Sequence, residues 1–145
     1  MSTLYGVNYT KYNTGPTEDN IQARGMVSGD VSFMRDTYEA SATSAGDVVY
    51  IGHPLNSGDR IIGYILSTDD LGTSVTMDIG TLADDDEFAS AIDVQAAAVS
   101  GNTACIVDGV DYVVGTTTND NIITLTLNTA AATGTIKITI LYSRA

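Results

Sequence analysis

The stretch GTLADDDEFASA, Gly80 to Ala91, sets four acids side by side, Asp84 to Glu87, in a chain otherwise dominated by small, apolar and hydroxylated residues. Carboxylates in that number could hold a divalent cation or divide the work of a general acid and a general base. A calcium loop takes its ligands at alternate positions and needs a Gly for its sharp turn. Here the acids are adjacent and the run has no internal Gly. Adjacent carboxylates on an extended chain point apart. Asp84 and Asp86 are the candidate metal ligands that this leaves, and a solvated turn after the strand ending in TMDIG is the favoured reading. Glycoside hydrolysis needs two carboxylates facing each other across a sugar, about 5 Å or about 6.5–9.5 Å apart. The 18 Asp and Glu make such a pair easy to imagine and single none out.

The other reactive side chains are few. His53, the only histidine, sits in IGHPLNSGDR directly before Pro54. A Ser-His-Asp arrangement would have to use it, yet no G-x-S-x-G elbow accompanies it, so it reads as a loop residue. Cys105, the only cysteine, lies between Ala104 and Ile106 and reads as a small buried hydrophobe. Neither an internal disulfide nor a thiolate metal site can be built from one thiol. The phosphate-cradling patterns G-x-x-x-x-G-K-[ST] and G-x-G-x-x-G do not occur. No catalytic residue, no cofactor and no enzymatic activity are assigned.

Charge narrows the partners. Six Lys and Arg against 18 Asp and Glu give a net charge of -12, and the cations are scattered from Lys11 to Arg144. Binding to a phosphate backbone requires concentrated positive charge, so nucleic acid is not an expected partner. An anionic membrane surface is disfavoured by the same sign argument, and no apolar run approaches the length of about 18 residues that a span requires. Only 17% of residues are charged, below the usual share of about 25%, as suits a surface much in contact with other protein.

The elements that would position these residues follow a period of two. Val75, Met77 and Ile79 alternate with Ser74, Thr76 and Asp78; Ile136, Ile138, Ile140 and Tyr142 alternate with Lys137, Thr139, Leu141 and Ser143; Ile123, Leu125 and Leu127 repeat the pattern. Further strands are expected in VSFMRDTYEA, DVVYIG, RIIGYILS, FASAIDVQAAAV and VDYVVGT, giving about eight. A helix over DEFASAIDVQAAAV is the competing, less favoured reading, since Phe88, Ala91, Ile92 and Gln95 would share a face. SGDVSF, AGDVVY and SGDRII each place Gly and Asp before an apolar strand, where Gly accepts positive φ and the carboxylate can bond nearby N–H groups. The expected fold is all-β: a single-domain β-sandwich of jelly-roll type over residues 26–145.

Residues 1–25 differ: they hold one of two prolines, little aliphatic material, and Tyr5, Tyr9 and Tyr12. They read as an extended arm. Its tyrosines Tyr5, Tyr9 and Tyr12 are candidates for docking on a neighbouring protein, because each ring offers large contact area at low rotamer cost; an arm folded back on its own domain is the alternative.

The pieces YGVNYTKY, GDVSFMRDTYEA, GDVVYIGHPLNSGDRIIGYIL, LGTSVTMDIGTLADDDEFASA and AATGTIKITILYSR, in this order, resemble the head decoration, or cement, proteins of tailed bacteriophages. The resemblance implies a β-sandwich or jelly-roll domain, a homotrimer, seated on the outer surface of the capsid against the major capsid protein. In such proteins the segment after the VTMDIG-type strand commonly reads A-D-P-D-R-F. Here Asp85 and Glu87 replace the Pro and the Arg, which removes a cation and a rigid turn. The resemblance assigns this loop to linking strands, with no catalysis. A carbohydrate-binding or adhesin-like sandwich is the alternative; against it, the chain has no Trp for an aromatic platform.

Overall fold

The computed structural model describes residues 30–95, 99–100 and 111–144. Eight strands follow in order: β1 (Val31–Thr43), β2 (Val48–Ile51), β3 (Arg60–Thr68), β4 (Thr76–Thr81), β5 (Ala89–Asp93), β6 (Val99–Ser100), β7 (Ile123–Asn128) and β8 (Ala132–Ser143). They form two four-stranded antiparallel sheets, ordered β1-β8-β3-β6 and β2-β7-β4-β5. Each strand pairs with the one that makes its number up to nine: β4 with β5, β3 with β6, β2 with β7, β1 with β8. The β8–β3 and β7–β4 ladders then join these pairs side by side. A long hairpin folded over itself in this way is the jelly roll that the sequence predicts.

Alternation explains how the layers close. Ile136, Ile138, Ile140 and Tyr142 on β8, with Met34 on β1 and Tyr64 and Leu66 on β3, form one inner wall; Met77, Ile79, Ile123, Leu125 and Leu127 form the other. Loop residues Leu55, Leu71, Phe88, Val94 and Val114 plug the core where the strands run out. Burying each such side chain contributes about 1.5–3 kcal/mol, set against the conformational entropy lost. β7 departs from simple alternation because Thr124 and Thr126 on its outer side are buried too. The Thr124 hydroxyl donates to the Thr81 carbonyl across the sheet, at 3.1 Å.

Strand directions define two poles. At one, called the Val31 pole, lie Val31, Ser143, the 52–59 and 82–88 loops and the 111–122 segment; at the other lie Thr43, the 44–47 and 69–75 loops and Thr129 to Ala131.

Two strand expectations are corrected. Over its described residues, 111–116, VDYVVGT is not a strand: there only Val113 bridges, to Arg60. Asp111 takes a φ of 60°, which breaks the extended run. The segment instead lies along the 58–61 backbone, with Gly58 N–H donating to Val114 O and Ile61 N–H to Tyr112 O, each at 2.9 Å. FASAIDVQAAAV is neither one strand nor a helix. β5 ends at Asp93, whose carboxylate accepts the Gln95 N–H at 3.0 Å, and β6 belongs to the opposite sheet.

The Gly–Asp turns of AGDVVY and SGDRII do what their residues suggest, while Ser28 and Gly29 of SGDVSF lie outside the described residues. Gly46 and Gly58 adopt φ of 88° and 91°. Asp47 accepts the Ser44 N–H and Asp59 the Asn56 N–H through a carboxylate oxygen, both at 3.0 Å. Their own N–H groups return to the Ser44 and Asn56 carbonyls, both at 3.1 Å. The two turns differ in depth: Asp59 is buried and Asp47 exposed. Denaturant unfolding of Asp59→Ala should show a loss of about 1–3 kcal/mol, and Asp47→Ala about 0.5–1 kcal/mol. Equal losses would mean that burial does not set the cost.

Asp69, at the opposite pole, ties the β3–β4 loop to β8. The Thr135 N–H donates to its carboxylate at 2.9 Å. That backbone bond, helped by the Thr135 hydroxyl and the charge of Lys137, holds the Asp69 pKa below the ordinary 3.8. A depressed folded-state value means that the stabilisation is fully present above 3.8 and is lost as pH falls through the folded pKa. Carboxyl NMR titration should therefore place the Asp69 midpoint below 3.8. A midpoint at or above that value would contradict the bond.

Candidate functional site

The acidic loop is seated by β4. Thr81 N–H donates to the Asp84 carbonyl at 2.7 Å, and Asp84 N–H donates back to the Thr81 hydroxyl at 3.1 Å. Leu82 N–H reaches Ile122 O and Ala83 N–H reaches Asn119 O, both at 3.1 Å, while Phe88 N–H rejoins the ladder at Ile79 O, 2.9 Å away. Gly80 makes this return possible: a Cβ there would collide with the Asp84 carbonyl oxygen and the Asp85 carbonyl carbon.

This turn corrects the expectation that adjacent carboxylates diverge. One oxygen each from Asp84, Asp85 and Asp86 can lie within 4.8 Å of one another, because the chain bends where an extended segment would splay them. All three residues are exposed, and exposed acidic groups of this kind are common without an ion. The candidates Asp84 and Asp86 are thus brought together, with Asp85 added. Behind the loop, Phe88 and Tyr112 meet edge to face, with ring centroids 5.4 Å apart and planes at 82°. Burial, followed by the charges of Asp120 and Glu87, pushes the Tyr112 phenol upward. It therefore stays protonated at neutral pH and cannot serve as a base there.

His53 is exposed in the 52–59 loop, its Nδ1–H donating to the Pro54 carbonyl at 3.0 Å. A shallow hollow of about 110 Å³ runs past it, lined by Tyr50, Ile51, Gly52, Pro54 and Ile122. Tyr5, Tyr9, Tyr12 and Cys105 lie outside the described residues.

The sequence reading missed the outer face of the β1-β8-β3 layer. Phe33 and Val31 on β1 are 65% and 54% exposed, and Ile62 and Ile65 on β3 are exposed beside them. Cross-strand register aligns Phe33 with Leu141, Arg35 with Thr139 and Ile65, and Thr37 with Lys137 and Ser67. The last two rows enclose an open hollow of about 190 Å³ lined by Arg35, Thr37, Ile65, Ser67, Lys137 and Thr139. Among the described residues all four cations, Arg35, Arg60, Lys137 and Arg144, lie on β1, β3 and β8 or just past β8. The β2-β7-β4-β5 layer has none, while Asp78, Asp93 and the Asp84–Glu87 run belong to its strands and loops. A signal was present in the sequence: Val31 and Phe33 fall on the opposite parity to Met34, and Ile61–Ile62 and Ile65–Leu66 are apolar neighbours. A strand wetted on one face needs neither.

No family model and no curated protein matches the chain. Among solved structures, a chain of the cyanophage Pam1 capsid asymmetric unit is similar, with a TM-score of 0.57 and 21% identity over 78% of this chain and 82% of that one. A chain from the capsid of Ralstonia phage GP4 has a TM-score of 0.45 and 24% identity over 81% and 86%. At 21% identity the likeness to the Pam1 chain is one of fold.

The seating of the acidic loop can be tested at Gly80. Gly80→Ala should destabilise the domain by about 1–3 kcal/mol through overpacking against backbone. Its NMR shift changes should concentrate at 81–88 and 119–122; an unchanged melting curve would show that the loop is not pressed against β4.

Proposed function

We propose that this chain is a structural protein of a bacteriophage virion: a decoration, or cement, protein that binds the outside of the major capsid protein shell as a homotrimer and stabilises it. The observation that carries this reading is the likeness of fold to a chain of the Pam1 capsid asymmetric unit, which spans 78% of this chain. The ordered sequence resemblance to head decoration proteins points the same way.

The physics of the role suits the residues. A cement has to hold capsomers together against the outward pressure of packaged DNA, and modest contacts multiplied by a trimer's valency can do so without one exceptional interface. A net charge of -12 keeps such a protein off the nucleic acid inside and soluble at high copy number. β1, a sheet edge 13 residues long, offers backbone groups to a neighbour, and such pairing asks little of side chains.

Purified virions should carry the protein in many copies, accessible to antibody on the outer face, and particles stripped of it should lose their DNA at lower temperature. Absence from purified particles would overturn the reading. Deleting Met1–Gly25, or replacing Tyr5, Tyr9 and Tyr12 together by Ala, should leave the domain's melting curve intact and lower its occupancy on capsids. Unchanged occupancy would remove the arm from the contact.

A further inference from the structure

We infer that the outer face of the β1-β8-β3 layer is the surface that seats on the shell, and that it takes a partner protein surface in which a carboxylate side chain stands beside apolar groups. This rests on the virion reading above and adds to it which face docks and what chemistry it meets.

Three observations lead there. Phe33, Val31, Ile62 and Ile65 form the apolar part, and register places Leu141 between β1 and β3 in the Phe33 row. An aromatic ring 65% exposed on a flat sheet face leaves unfavourable apolar hydration that a partner would relieve. Next to it, Arg35 and Lys137 flank the open hollow of about 190 Å³, and the hydroxyls of Thr37, Ser67 and Thr139 complete its lining. Arg35 is already aimed across the sheet, its Nε–H donating to Thr139 Oγ1 at 3.3 Å. Two cations and three hydroxyl donors around one hollow form a receptor for a carboxylate, which accepts several hydrogen bonds and is favoured by positive charge.

The third observation is charge segregation. An acidic partner is repelled by a molecule of net charge -12 everywhere except where its cations are gathered. Among the described residues that place is this layer, which carries all four. Of the acids near the face, Glu39 and Asp69 lie toward its far end, where Thr135 donates its hydroxyl to Glu39 and its N–H to Asp69; Asp30 precedes Val31 at the near end, and Asp36 on β1 has the opposite parity and accepts the Thr37 and Gly52 N–H groups. The arrangement places apolar contact toward the Val31 pole and carboxylate capture in the middle of the face. The opposite layer has exposed apolar residues too, Val48 and Tyr50 on β2 and Leu82 in the loop after β4, but among the described residues no cation accompanies them.

The test uses full-length protein added back to capsids purified from phage that lack it, with bound copies counted. Phe33→Ser and the pair Arg35→Glu with Lys137→Glu should each weaken binding about tenfold or more. Tyr50→Ser on the opposite layer should bind as the unaltered protein does. Added salt should weaken the unaltered protein more than the charge-reversed pair. All these side chains are exposed or partly so, and unchanged melting curves would show that the variants fold. If unaltered protein binds and the Phe33 and charge variants bind equally well, the docking face is wrong while the virion reading stands. If unaltered protein fails to bind capsids, the virion reading fails and this inference with it. If Phe33→Ser instead dissociates the free protein to a smaller species by sedimentation, the face is a contact between copies of this chain, and the inference is overturned.

Discussion

Closing a β chain on itself carries an entropic cost that rises with the length of the loop closed, and here the longest closure is the ladder between β1 and β8. Val31 lies opposite Ser143 and Thr43 opposite Ala132, so this ladder spans almost the whole domain in sequence. The nested pairing makes the closure tractable. The β4–β5 hairpin is local, and two of the longer-range pairs are anchored on a second strand, since β7 pairs β4 as well as β2 and β8 pairs β3 as well as β1. With β8 held between β1 and β3, its Ile136, Ile138, Ile140 and Tyr142 are committed to the core, and the opposite parity is committed to the outside. Every surface feature of the β1-β8-β3 layer, including the row of Arg35, Thr139 and Ile65, inherits its position from that register.

The molecule divides its labour by layer. Both sheets give one face to a shared core, and what distinguishes them is the outward face. The β2-β7-β4-β5 layer carries buried threonines, a tightly pinned acidic loop and no positive charge among its described residues. The other layer carries the described cations beside its exposed apolar side chains, whereas Val48 and Tyr50 on β2 are exposed without one. Apart from the exposed Asp84–Asp86 cluster, several described groups that could do chemistry are tied into structure. Asp47, Asp59 and Asp69 serve backbone N–H groups, His53 bonds its neighbour's carbonyl, and the Tyr112 phenol is held neutral against Phe88.

Much of this was legible in the residues. Strict alternation in TMDIG, NIITLTLN and GTIKITILYS gave strands, faces and a sandwich, and Gly followed by Asp before an apolar run gave turns whose bonding the structure reproduces at Asp47 and Asp59. The failures share a cause. Alternation reports what a segment can do locally, whereas crossing between layers is decided by which sheet has room. VDYVVGT has the composition of a strand but is interrupted at Asp111, and FASAIDVQAAAV is divided because the chain must change sheets after Asp93. The convergence of Asp84, Asp85 and Asp86 was illegible for a related reason. It depends on Gly80 allowing backbone to lie against backbone, a property of the space around a residue that is missing from a list of residue types. The exposed apolar face could have been found, since β1 and β3 carry apolar residues on both parities.

The direct opposition of Val31 and Ser143 has a mechanical corollary. Tension that pulls those two points apart loads the rungs one after another, as a zip opens, and a β ladder resists that poorly. Force spread across the sheet and directed along its strands must shear many rungs together. A protein of this build tolerates strain best when gripped by its broad side, and worst when hung from the two chain ends that leave it there.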